Sequence, residues 1–179
     1  MPPSAVRTVS DLLYWQYAKI ISSSAGEGKS NYGFIMDRFE KLRSGEIQWS
    51  SSIREYVKEH EEAGTCVYCG SGGGLTLEHM LPRARGGPDA PENAVWACEG
   101  CNSRKGSKRL YEWYGLESRN ELPRIAEGKY LKLLHSLHEA RGTLGAVPTD
   151  LCPTCDLGAR CPVEGKLTVY CLEGCFPKS

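Results

Sequence analysis

Hydrophobic residues recur every three or four positions in several stretches of the chain, which is the pattern of a helix with one buried face. The first of these stretches predicts a helix whose N-terminal cap is Ser10. Another helix is indicated by Ser52 with Glu55 three residues later, the spacing of a capping box. The predicted helices cover residues 10–21, 31–43, 52–62 and 123–141.

The middle of the chain has shorter segments. Residues 75–79 and 93–98 have the length and composition of two strands, and a loop rich in Gly and Pro (82–91) separates them. A helix is predicted from about residue 102, with an interruption at Gly106. The order strand, loop, strand, helix therefore predicts a small α+β unit between two helical regions.

Composition is that of a globular protein. Of 179 residues, 40% are hydrophobic and 25% are charged. No apolar run reaches the roughly 18 residues of a membrane span, and the N-terminus lacks the apolar region of a signal peptide. We therefore expect a cytoplasmic protein, and its nine cysteines then favour metal binding over disulfides.

Positive charge is concentrated in the middle of the chain. The net charge is zero, but residues 63–109 carry six basic groups against four acidic ones. Such groups are usually a solvated surface, and the alternative is contact with the phosphates of a nucleic acid. The candidates for phosphate contact are Arg83, Arg85, Arg104, Lys105 and Lys108.

Two Cys-x-x-Cys pairs enclose this α+β unit. Cys66 with Cys69, and Cys98 with Cys101, can supply the four thiolates of a tetrahedral zinc site. The 28 residues between the pairs exceed the roughly 15–20 of the common double-knuckle spacing. The extra length suits a functional loop whose two ends are held by zinc.

The residues between and beside the two pairs suit phosphodiester hydrolysis, which needs a base for water and a cation for the negative charge. His79 is suited to be the base because imidazole is the side chain that exchanges a proton in the physiological pH range. Glu78 and Asn102 offer the oxygen ligands that Mg²⁺ or Mn²⁺ prefers. Because neighbouring strand residues point to opposite faces, Glu78 and His79 can both contribute only where the strand ends or twists.

Residues 66–108 resemble the HNH endonuclease family. The run from Glu78 to Pro82 (EHMLP) corresponds to the family's acid-His-hydrophobic-x-Pro element, with Glu where Asp is usual. CEGCNSRKG corresponds to the Cys-x-x-Cys-Asn-x-x-Lys-Gly signature. The resemblance implies a ββα-metal fold in which His79 activates water, Glu78 and Asn102 bind the catalytic divalent ion, and Asn93 braces the loop. The alternative for Asn93 is a turn residue with no part in the chemistry.

The tail contains five further cysteines, which could form a second zinc site. The set we favour is Cys152, Cys155 and Cys171 with either Cys161 or Cys175 as the fourth ligand. So short a segment cannot build its own core, so we expect a zinc-stapled flap rather than a DNA-contacting finger.

Together these observations predict an α+β protein with a small ββα-metal core, HNH or treble-clef-like. A zinc site of four cysteines clamps the core, helices flank it on both sides, and a cysteine-rich staple follows. The predicted regions are a helical layer (1–62), the nuclease core (63–115), a helical extension (116–149) and the tail (150–179).

The predicted function is DNA cleavage with Mg²⁺ or Mn²⁺, one structural zinc or two, and no membrane partner. RNA cleavage and a homodimer stay open. The alternatives are a zinc-dependent nucleic-acid-binding module without catalysis and a structural zinc protein.

Overall fold

The computed structural model describes residues 2–49, 63–161 and 165–176. The helix predicted over 52–62 lies outside the described residues. We label the regular elements in chain order. They are α1 (Val9–Ser24), α2 (Tyr32–Arg43), β1 (Leu75–His79), β2 (Ala94–Cys98), α3 (Glu99–Lys105), α4 (Leu110–Tyr114), α5 (Arg124–Ala140) and α6 (Pro148–Leu151).

The N-cap of helix α1 lies two residues before the predicted one. The Thr8 hydroxyl accepts a hydrogen bond from the Asp11 amide at 3.2 Å, and the Asp11 carboxylate accepts one from the Thr8 amide at 3.1 Å. These reciprocal bonds form a capping box, so Thr8 is the N-cap and the prediction of Ser10 was wrong. Helices α2 and α5 lie within one residue of their predicted bounds at each end, whereas α6 was not predicted.

The long helices and the hairpin share one hydrophobic cluster. Helix α1 is buried on most sides because α2 and α5 pack against it. The cluster includes Leu12 of α1, Phe39 of α2, Leu81 directly after β1, and Leu172 of the tail, each at most 1% exposed. The end of β1 is therefore anchored in the same core as the helices.

The hairpin and α3 form the predicted ββα arrangement. Strands β1 and β2 are antiparallel, and the register pairs Leu75 with Cys98 and His79 with Ala94. Helix α3 follows β2 without a loop and packs on one face of the hairpin. A two-stranded sheet alone is marginal in water, so α3 and the cysteine cluster at its base are needed to hold it. The predicted helix start at residue 102 was wrong, because Cys98 is the N-cap of α3.

The described part of the tail packs against the ββα unit through a buried arginine. Arg109, between α3 and α4, is 0% exposed. Its guanidinium donates to the carbonyls of Glu173 at 2.9 Å and Phe176 at 3.0 Å, and to the Asp156 carboxylate at 2.6 Å. These bonds satisfy a buried charge that would otherwise be costly, and they tie the tail to the segment that follows α3.

A buried carboxylate completes this contact from the tail side. Glu173 accepts hydrogen bonds from the backbone amides of Tyr111 and Glu112 and from the Tyr130 hydroxyl, at 3.1, 2.6 and 2.8 Å. Burial raises the pKa of Glu173 to about 7, and the three donors act against that rise. The tail thus contacts both α4 and α5 through one side chain.

Among the described residues, no helix is long and apolar enough to cross a membrane.

Candidate active site

The four predicted cysteines lie together at the base of the hairpin. The sulfur atoms of Cys66, Cys69, Cys98 and Cys101 are all within 4.8 Å of one another. The first two precede β1, Cys98 ends β2, and Cys101 lies in the first turn of α3. A metal bound to these sulfurs joins three elements at one point, and four thiolates are the donor set that zinc favours.

The surroundings of the thiols act on their pKa values in opposite directions. The hydroxyl of Ser71 lowers the pKa of the Cys69 thiol and lowers that of Cys98 to about 6. Burial acts the other way on Cys101 and raises its pKa to about 12. Arg104 donates to the Cys101 sulfur at 3.1 Å. A metal bound to the set would stabilise all four thiolates through its charge.

His79 lies at the end of β1, where the strand gives way to the loop. Its side chain is 26% exposed, and its Nε2 is 3.1 Å from Oδ1 of Asp89. A carboxylate on one ring nitrogen fixes the orientation of the imidazole. Asp89 was absent from the predicted site because it lies ten residues away in an irregular loop.

Asn93 holds the loop that follows His79. This residue is fully buried, and its side-chain oxygen accepts from the Leu81 amide at 2.8 Å. Its Nδ2 donates to the carbonyls of Leu81 at 2.8 Å and Pro88 at 2.9 Å. One amide thus connects the two ends of the 81–88 loop, the geometry that the bracing role requires.

Gly87 is where this loop passes closest to the end of β1. A Cβ atom at Gly87 would lie 1.9 Å from the Leu81 carbonyl oxygen and 2.9 Å from Nδ2 of Asn93. We expect Gly87→Ala to lower the free energy of unfolding by about 2 kcal/mol or more, because the loop must shift and break the Asn93 bonds. Thermal denaturation measures this. Gly145→Ala is the control, because a Cβ there meets no atom within 4 Å. Equal melting temperatures for the two variants would contradict the tight approach.

Glu78 points to the opposite face of the hairpin, toward α3. Its carboxylate is 5% exposed, accepts from the Tyr68 hydroxyl at 2.6 Å and forms an ion pair with Lys105. Asn102 reaches the same face, and its Nδ2 donates to the Thr76 hydroxyl at 3.0 Å. Both predicted ligands of the divalent ion therefore lie between β1 and α3, on the face of the hairpin opposite to the His79 side chain. An ion held by them and the imidazole could meet at one phosphate only at the end of β1, where the strand gives way to the loop. An ion that binds Glu78 must compete with the Lys105 ammonium for a carboxylate oxygen.

Lys105 is the most enclosed charge of this site. It is 0% exposed, and its ammonium also donates to the His79 carbonyl at 2.9 Å. Burial lowers the pKa of Lys105, and the Glu78 carboxylate acts against that shift. The sequence predicted a phosphate contact here. Lys105 follows Asn102 by three residues, and residues at i and i+3 share one face of a helix. This spacing could have indicated that Lys105 faces the hairpin.

We expect Lys105→Ala to lower the free energy of unfolding by about 3–5 kcal/mol, because it leaves the Glu78 carboxylate buried beside a single neutral donor. Urea denaturation measures this loss. The matched control is Lys108→Ala, which removes an exposed lysine one turn further on and should change stability by less than about 0.5 kcal/mol. If the two variants were equally stable, Lys105 would not be the partner on which Glu78 depends.

The basic residues predicted to contact phosphates fall into two groups. Arg83, Arg104 and Lys108 are exposed near the site. Arg85 is engaged in an ion pair with Asp156, whereas Lys105 is held by Glu78. Within the exposed group, Arg83 also forms an ion pair with Asp89 at 3.5 Å, and Arg104 donates to the Cys101 sulfur.

The tail cysteines are less closely gathered than the first four. Thr168 lies between two of these cysteines. The Cys161 sulfur is 3.7 Å from the Thr168 hydroxyl, and the Cys171 sulfur is 3.5 Å from the Thr168 amide. Cys175 is 4.0 Å from Nε2 of His138, whereas Cys152 is exposed. Within the part of the chain that the structure describes, the Cys66 cluster is the one group of three or more ligands at metal-binding spacing. A second zinc stays a prediction.

Comparison with known proteins adds one finding to this geometry. Residues 66–108 match the family model described as HNH endonuclease, and this segment contains both Cys-x-x-Cys pairs, the hairpin and α3. The match confirms the resemblance stated from the sequence and implies a nucleic-acid-related function in general. No curated protein and no solved structure gives a significant match to the chain.

Proposed function

Because residues 66–108 match the HNH endonuclease family, we propose that the protein is a metal-dependent endonuclease that hydrolyses phosphodiester bonds of DNA. The observation that carries the proposal is the position of His79. Its imidazole projects from the end of a hairpin held by the cysteine cluster, is oriented by Asp89, and is followed by a loop that Asn93 braces.

In this proposal His79 is the general base. Asp89 accepts a hydrogen bond from Nε2–H, so that the lone pair of Nδ1 is free to take a proton from the attacking water. The ring cannot turn away without losing this bond, and the loop behind it is held through Leu81. Asp89 and Asn93 are thus positioning residues, and His79 alone touches the water.

The proposed cofactor is one Mg²⁺ or Mn²⁺ ion, which Glu78 and Asn102 would hold. When bound, it supplies positive charge for the phosphate and the leaving oxygen. Lys105 must release one oxygen of Glu78 for this, and its ammonium still has the His79 carbonyl as a partner. Arg83, Arg104 and Lys108 then position the DNA through its phosphates.

One base and one metal cut one strand. We therefore propose a nicked product, with double-strand cleavage only from a homodimer or from two successive events. The remaining assignments are a structural zinc on the four clustered cysteines, a second one on the tail cysteines, and a cytoplasmic location, which the nine free thiols favour.

The second candidate is a zinc-dependent nucleic-acid-binding module without catalysis. One observation favours it, namely that Lys105 and Tyr68 already occupy both oxygens of Glu78. In that case the protein would shift DNA in a gel and would never cut it.

Incubation of the zinc-loaded protein with supercoiled plasmid in Mg²⁺ or Mn²⁺, beside the same protein in EDTA, tests the proposal. Nicked circles with metal and none with EDTA are the expected result. Retarded but intact plasmid under all conditions would establish the binding module instead. A parallel incubation with structured RNA decides between the two nucleic acids.

A further inference from the structure

A cleft lies on the face of the hairpin that α3 leaves uncovered. Leu75, Leu77 and His79 alternate along β1 and so share this face. Trp96 stands opposite Leu77 on β2. Leu77 is 55% and Trp96 46% exposed, and because they face each other across the strands they form one exposed apolar patch.

The cleft has the dimensions of a ligand site and includes the proposed base. Its volume is about 810 Å³, within the roughly 300–1,000 Å³ that small-molecule sites span. Leu77 and Trp96 line its apolar part, whereas His79 and Asp89 form a polar end. Trp96 lies two residues, about 7 Å, along β2 from the residue that faces His79.

We propose that this cleft binds a nucleobase of the substrate, stacked on the Trp96 indole and supported by Leu77. The inference rests on the proposed nuclease function, because a phosphodiester at His79 brings a neighbouring nucleotide to the cleft wall. Every base has a π face that can stack on an aromatic ring without regard to sequence. The contact therefore selects for an unstacked base, whichever of the four bases it is.

The substrate class follows from this geometry. A base in a duplex is stacked on both sides and cannot present its face to Trp96, whereas a base in a single strand, a flap or a bubble can. The preferred substrate is therefore DNA with at least one unpaired nucleotide beside the cut bond.

The cleft is more consistent with a nucleotide than with a protein partner. A stable protein interface buries about 800 Å² on each side, whereas the exposed apolar side chains here are one cross-strand pair, Leu77 with Trp96. The polar end with His79 and Asp89 is continuous with this pair. A ligand with an apolar ring and an adjacent phosphate matches both parts.

Binding without cleavage tests the inference independently of catalysis. The affinity of the zinc-loaded protein for a fluorescent 12-nucleotide single strand and for the matching duplex is measured by anisotropy, with Ca²⁺ in place of Mg²⁺. The variants are Trp96→Ala, Trp96→Phe and the control Tyr32→Ala, which removes another exposed aromatic residue, 59% exposed. We expect Trp96→Ala to weaken single-strand binding about 5- to 150-fold, Trp96→Phe to retain most of it, and Tyr32→Ala to have no effect.

Several results would overturn the inference. One is equal single-strand affinity for the wild type and Trp96→Ala, and another is a preference for duplex that Trp96→Ala leaves unchanged. If Trp96→Ala converts a dimer to a monomer in light scattering, the face is a contact between two copies of the chain. If Trp96→Ala loses its zinc, its affinity no longer reports on stacking. The inference is then tested with Trp96→Phe and with an abasic single strand. The wild type must then bind the abasic strand more weakly than the intact strand, and equal affinity contradicts stacking.

The two proposals fail in different ways. A wild-type protein that binds single strands through Trp96 but never nicks DNA would contradict the nuclease and leave the stacking site in place. If Trp96→Ala nicks both duplex and bubble substrates as fast as the wild type does, the stacking site alone is contradicted.

Discussion

His79→Ala is expected to lower the rate of plasmid nicking by about 10²- to 10⁴-fold, the contribution of a general base. In the proposed mechanism the imidazole takes the proton from water through Nδ1, while Asp89 accepts a hydrogen bond from Nε2. A methyl group in its place contacts neither water nor phosphate. The nicking rate at saturating Mg²⁺ or Mn²⁺, and the zinc content of the same preparation, are the two measurements.

The matched control for this loss is His135→Ala. This histidine lies on α5 and packs against the rings of Tyr14 and Trp49, away from the hairpin. Its removal should leave nicking within about twofold of the wild type. Since His79 is partly exposed, its substitution should also leave the fold and the zinc site intact. Equal nicking by His79→Ala and the wild type would mean that the base is another group or that the activity is a contaminant.

The strands of the hairpin were predictable because local sequence determines where they end. The residues of β1 were predicted at both ends, and β2 within one residue, because glycines precede β1 and Pro82 follows it. Strand ends of this kind depend on backbone conformation alone. The order strand, loop, strand, helix therefore needed no knowledge of tertiary contacts, whereas the ββα-metal fold came from the family resemblance.

Helix starts were less predictable because several residues compete for the cap. Thr8 and Ser10 both have a hydroxyl, and the choice depends on which has an acid three residues later. Asp11 follows Thr8 at that spacing, so the signal was present but was assigned to the wrong residue. At α3 the signal was absent, because Cys98 makes no side-chain cap hydrogen bond.

The partners of the site residues could not be predicted from the sequence. Lys105 is 27 residues from Glu78, and Asp156 is 47 residues from Arg109. Such pairs depend on how the loop and the tail fold back, which no local pattern records. The identity of the reactive residues was therefore accessible from motif spacing, whereas their electrostatic surroundings required the structure.

Loss of the metal from the first cysteine cluster is expected to unfold the hairpin and to abolish nicking. Two short strands are marginal on their own, and structural zinc in small domains contributes on the order of 10–16 kcal/mol. Cys66 precedes β1 and Cys98 ends β2, so their bonds to the metal hold together the two ends of the 28-residue insert. Without those bonds, His79 and Asn93 lose their common frame. Helices α2 and α5 pack against α1 and supply much of the shared hydrophobic cluster, so these three helices should persist.

Hydrogen exchange resolves this prediction along the chain. After chelation, or in Cys66→Ser, residues 66–108 should lose protection while residues 9–24 keep most of theirs. The control is Cys152→Ser, an exposed tail cysteine, which should leave both nicking and the protection of 66–108 unchanged. The number of zinc ions per chain then distinguishes the first cysteine cluster from the tail site. Cys152→Ser lowers that number from two to one only if the tail binds a second ion. Unchanged protection of the hairpin after complete removal of zinc would mean that α3 and the hydrophobic core hold His79 in place without the metal.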